Sequence, residues 1–217
     1  MLGTTTAAYL VTIAAALTVS GCSSPAKRLE PSVVNQIREG VTTRDDIEQK
    51  FGKPKNALIG SNRRTLVVYE YGRLEPSGEP ASLSVLPTPI GTVWLRTLTV
   101  LYDDADRVEK AVFHESVTPY ERNMSSISAG SVVGEADLAS IKAGVTTAAE
   151  LRKSFGPPMG KTLTIDGHVV LVWHYGKATG PFEPRFKRQT LLVQMDASDV
   201  VSSYAVAGNV SPKSGPN

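Results

Sequence analysis

The stretch Ile37–Pro54, IREGVTTRDDIEQKFGKP, occurs twice: 104 residues further on, Ile141–Pro158 reads IKAGVTTAAELRKSFGPP. Eight of the 18 positions are identical: Ile37/Ile141, Gly40/Gly144, Val41/Val145, Thr42/Thr146, Thr43/Thr147, Phe51/Phe155, Gly52/Gly156 and Pro54/Pro158. Ordinary residue frequencies give about one match in such a window. The offset persists without a gap at Tyr71/Tyr175 and Gly72/Gly176. The chain is a tandem duplication and must fold as two related modules.

The repeated block reads as helix, tight turn, helix. Val33, Val34 and Ile37, matched by Leu138 and Ile141, give a short first helix one apolar stripe. Gly40 and Gly144 follow, where a left-handed residue stops a helix without a Cβ clash. Thr43 with Asp46, and Thr147 with Glu150, have the spacing of a capping box that opens the second helix. Ile47 and Phe51, or Leu151 and Phe155, share one face at i and i+4. Gly52 and Gly156 end that helix, and Pro54 or Pro158 blocks its resumption.

Strands follow in both copies. Thr65–Tyr71 alternates, with Val67, Tyr69 and Tyr71 matching Leu171, Trp173 and Tyr175. The opposite face carries Leu66, Val68 and Glu70, matching Val170, Val172 and His174, so both faces are more apolar than a half-exposed strand needs. Arg96–Tyr102 and the stretch around Leu191–Met195 give second strands, and Arg107–His114 and Val200–Val206 give third strands. The expected fold class is α+β: two tandem α-α-β-β-β modules, each a three-stranded antiparallel sheet with a helix pair on one face. The expected boundaries are a leader at 1–21, a tether at 22–30, module one at 31–117, a Ser/Gly-rich linker at 118–134, module two at 135–207 and a disordered tail at 208–217.

The G-V-T-T…F-G-x-P block at Gly40–Pro54 and Gly144–Pro158, followed by a strand ending in Tyr-Gly and an apolar strand closing on Asp, resembles the SmpA/OmlA (BamE-like) family of small outer-membrane lipoproteins. The resemblance spans nearly the whole mature chain, once per module. It implies a non-catalytic protein that supports the machinery inserting β-barrel proteins, or outer-membrane integrity, through protein–protein binding. Family members usually carry one module. In architecture the tandem modules also resemble β-lactamase inhibitory proteins, whose sheets grip an enzyme. Those are secreted and need disulfides, and this chain has a single cysteine. A structural envelope lipoprotein without a dedicated partner is the remaining alternative.

The N-terminus reads as a targeting segment. Ala7–Val19 is an apolar run too short for a comfortable membrane span. It leads into Val19-Ser20-Gly21-Cys22, which looks like a lipobox: cleavage falls between Gly21 and Cys22, and the thiol takes a lipid. Cys22 is the only cysteine, so no disulfide frame exists. Ser23 at the next position favours sorting to the outer membrane, facing the periplasm. The tether then holds module one close to the membrane surface.

A net charge of +2 is too mild to argue for nucleic-acid binding. The three histidines, His114, His168 and His174, have no cysteine or second histidine at ligand spacing, so no metal is expected. The acidic run Asp103, Asp104, Asp106 lacks the Gly and distal Glu of an EF-hand and reads as a plain turn. No Gly-x-Ser-x-Gly elbow and no glycine-rich phosphate cradle appear, and neither an enzyme nor a cofactor is expected. Binding surfaces remain. The connections Arg73–Val93 and Lys177–Gln189 are long and carry prolines, as binding loops often do. Candidate contacts with a partner or anionic lipid are Glu70 and His174 on the outer strand faces, with Phe182, Arg185, Phe186, Lys187 and Arg188 in the second loop. The alternative for that loop is a solvated hairpin whose phenylalanines tuck back onto the sheet.

Overall fold

A computed structural model describes residues 29–54, 57–61, 63–77, 88–123, 126–179 and 185–209. The leader, Cys22, most of the tether, Phe182 and positions 210–217 of the tail lie outside the described residues. In chain order the elements are α1 (Pro31–Val34), α2 (Arg44–Phe51), β1 (Ala57–Ile59), β2 (Thr65–Pro76), β3 (Thr88–Tyr102), β4 (Val108–Asn123), β5 (Ser126–Ala129), α3 (Glu135–Ser140), α4 (Ala148–Phe155), β6 (Gly160–Leu163), β7 (Val169–Thr179), β8 (Arg185–Met195) and β9 (Val201–Gly208). The hydrogen-bonded strand order is β1-β2-β3-β4-β5-β7-β8-β9, with β6 beside β7.

The expected α+β class with two three-stranded sheets is therefore corrected to a mainly antiparallel β protein. No described helix exceeds eight residues, whereas β2, β3 and β4 run for 12, 15 and 16. Prolines explain part of the misreading. Pro76 is the last residue of β2 and Pro89 the second of β3, positions where a missing N–H is tolerated. Residues 73–76 and 88–93, expected as loop, are strand. Three further strands, β1, β5 and β6, lie where the sequence pattern predicts none. Residues 118–129 of the expected linker hold the end of β4 and the whole of β5, which pairs with β4 (Tyr120↔Ala129) and with β7 (Ala129↔Gly176).

The chain divides into two compact units, each discontinuous. Unit 1 comprises Met1–Gly72, Leu95–Glu115 and Gly160–Val170; unit 2 comprises Arg73–Trp94, Ser116–Met159 and Leu171–Asn217. In unit 1 the strands are buried on both faces. Leu29, Val34, Ile47, Phe51, Val67, Tyr69, Leu98, Val100, Tyr102 and Val108 form one cluster with the helices. Leu66, Leu101, Val112, Leu163 and Ile165 form the second, on the alternate residues. This explains why neither face of the Thr65–Tyr71 pattern is polar.

Both capping boxes form. Thr43 Oγ1 accepts the Asp46 N–H at 3.3 Å, and Asp46 Oδ2 accepts the Thr43 N–H at 2.9 Å. Thr147 and Glu150 repeat the pair at 3.3 and 2.8 Å. These bonds hold both carboxyls below their ordinary ionisation range, the backbone N–H being the largest cause. Gly40 and Gly144 are left-handed (φ 74° and 76°), but they do not end the first helices. α1 stops at Val34 and α3 at Ser140, and each glycine instead sits in a separate turn. There it donates its N–H to a strand: Gly40 to Val108 O at 2.7 Å, Gly144 to Val201 O at 2.8 Å. A residue with a Cβ is strained at such a positive φ, which accounts for the glycine in both copies.

Candidate functional site

The point where each module enters its fold is clamped from a strand. In unit 1, Arg96 Nη1 donates to the carbonyl of Leu29 at 3.3 Å, while its guanidinium pairs with Glu115 and, at 3.5 Å, with Glu30. In unit 2, Gln189 takes over. Its amide accepts the Val133 N–H at 2.7 Å and donates to Val133 O at 3.1 Å. Val133 is Leu29 shifted by 104, and Gln189 is Arg96 shifted by 93, the offset of the later strands. The clamp is common to both copies and its chemistry differs.

Of the expected contact residues, His174 and Arg188 come together. His174 is solvent-exposed on β7, and its Nδ1 lies 2.9 Å from Thr190 Oγ1 on β8. Partial desolvation and, second, the Arg188 charge push the imidazole below its ordinary ionisation range. Lys187 and Arg188 are exposed, but they belong to strand β8 rather than to a loop. Arg188 is tied through its backbone to Asn209, whose Oδ1 accepts the Arg188 N–H at 2.8 Å. Arg185 and Phe186 begin β8, and their side chains lie outside the description. Glu70 belongs to unit 1, half-buried in β2 and engaged by a neighbour. Of the apolar residues on the same strand faces, Leu66 packs in the second cluster of unit 1, Val172 is buried in unit 2 and Val68 is half-buried.

The sequence reading missed a buried polar cluster in unit 1. Arg44, the first residue of α2, reaches Asp106 Oδ1 at 3.2 Å with Nη1 and lays its guanidinium 5.0 Å from the centroid of the Tyr102 ring. Arg44 Nε and Nη2, Tyr69 OH and Tyr102 OH are all buried without a hydrogen-bond partner. The two hydroxyls influence one another's ionisation, but no bond of acceptable geometry joins them. Burial, with Glu48 second, pushes the Tyr69 phenol up to about 12. Burial, with Tyr69 second, pushes Tyr102 higher still. The second copy has Ala148, Trp173 and Met195 at the corresponding positions. There the Trp173 ring meets Phe155 at 5.8 Å and satisfies its N–H on Gly156 O at 3.1 Å. Divergence at three otherwise apolar core positions was the available signal.

Two other motifs resolve simply. Asp103 Oδ1 accepts the N–H groups of Ala105 and Arg107 at 3.0 and 2.8 Å, and Asp196 does the same for Ser198 and Val200. Each acidic run is thus a side-chain-closed turn, completed by a left-handed Asp106 or Asp199. Val41 and Val145, identical in the repeat, are 63% and 66% exposed. Among the described residues no group of three or more His, Cys, Asp or Glu is placed to hold a metal ion, and no helix is long and apolar enough to cross a membrane. Comparisons with protein-family models, with curated proteins and with solved structures found no match.

Proposed function

We propose that this chain is a non-catalytic lipoprotein of the cell envelope. In this reading it is anchored through Cys22 to the outer membrane, faces the periplasm, and supports assembly of outer-membrane β-barrel proteins, or the integrity of that membrane, by binding other proteins. The observation that carries the reading is the way the chain enters its fold. Cys22 directly follows the small residues Val19-Ser20-Gly21, and Leu29, seven positions later, is fully buried and clamped by Arg96. Seven residue steps span at most about 25 Å. A lipid on Cys22 would therefore keep unit 1 within that distance of the bilayer. The resemblance of the duplicated G-V-T-T…F-G-x-P block to the SmpA/OmlA family supplies the barrel-assembly part of the proposal. Two modules on one tethered chain would raise the effective concentration for weak contacts.

The test combines radiolabelled palmitate incorporation with co-purification from detergent-solubilised envelopes, using a C-terminal tag and Cys22→Ser as the control. The expected result is label that vanishes in Cys22→Ser, together with recovery of the barrel-insertion machinery that weakens in the same variant. Absence of label would remove the anchor. Label without that machinery would remove the assembly role.

A further inference from the structure

We draw no further inference here: the strongest candidate, the buried side-chain cluster of Arg44, Tyr69 and Tyr102 where α2 packs on the strands of unit 1, has its unpartnered donors sealed from solvent, Asp106 on its guanidinium and the Glu48 charge acting on both phenols, and nothing in the structure shows what ligand it would hold.

Discussion

Gln189 holds Val133 by both backbone polar groups, with contacts of 2.7 and 3.1 Å, so one side-chain amide does the work of a neighbouring strand. Gln189 is 1% exposed and Val133 is 6% exposed, so neither partner has water as a substitute. Gln189→Leu would strand a buried N–H and a buried C=O, each costing about 1–3 kcal/mol. The expected loss is about 3 kcal/mol, read as a lower urea midpoint at constant m. In unit 1, Arg96→Gln installs the second copy's solution and should cost less than Arg96→Ala. Equal costs would mean that the guanidinium's ion pairs, lost in both variants, rather than the clamp on Leu29, matter at that position.

Phe51 and Phe155 are identical in the repeat but differ in packing. Phe51 is 6% exposed, with its ring 6.0 Å from that of Tyr69, whereas Phe155 is only half-buried beside Trp173. Phe51→Ala should cost about 3–5 kcal/mol and Phe155→Ala about half of that. Equilibrium unfolding of both variants checks the difference. Equal costs would show that exposure is a poor guide to what these rings support.

Tyr69 and Tyr102 predict an alkaline limit to stability. Both phenols are raised above their ordinary value of 10, Tyr69 to about 12. Their contribution is fully present below pH 10 and is lost as pH rises towards the folded-state values. The unfolded chain releases these protons first, so each group lowers stability by up to about 1.4 kcal/mol per pH unit in that window. Melting temperatures between pH 9 and 11 should therefore fall less steeply in Tyr69→Phe and Tyr102→Phe. At pH 7 either substitution should be near neutral or stabilising, because it removes a buried hydroxyl that has no partner.

Lys187 and Arg188 test the contact surface. Reversing both charges should weaken envelope or partner association at an unchanged melting temperature, since both side chains are exposed. The same change should raise the ionisation midpoint of His174, which the Arg188 charge helps to depress, as followed by imidazole NMR titration. Loss of stability instead would make these residues structural.

How far the sequence could be read depended on whether the signal was local. Capping boxes at Thr43/Asp46 and Thr147/Glu150, positive φ at Gly40 and Gly144, and the Asp103 and Asp196 turns are set by side chains within a few residues, and all were legible. β5 was not: Ser-Ile-Ser-Ala in a Ser/Gly-rich stretch has weak intrinsic strand character, and pairing with β4 and β7 decides it. β6 became visible only through Leu163, which fills a cluster against Leu66, Leu101 and Val112 from distant parts of the chain. The Arg44–Tyr69–Tyr102 cluster escaped because each residue alone suits its local pattern: a first-turn helix position and two inward strand positions. Only comparison of the copies, position by position, singles it out.

The discontinuity of unit 1 also sets the order of events on the ribosome. Its third stretch, Gly160–Val170, is made only after the α3–α4 helix pair of the second copy. Until then Leu66, Leu101 and Val112 wait without Leu163 and Ile165, exposed to whatever meets a nascent chain. Although the first copy leaves the ribosome first, it closes late, and translation halted between the two copies would yield no finished half.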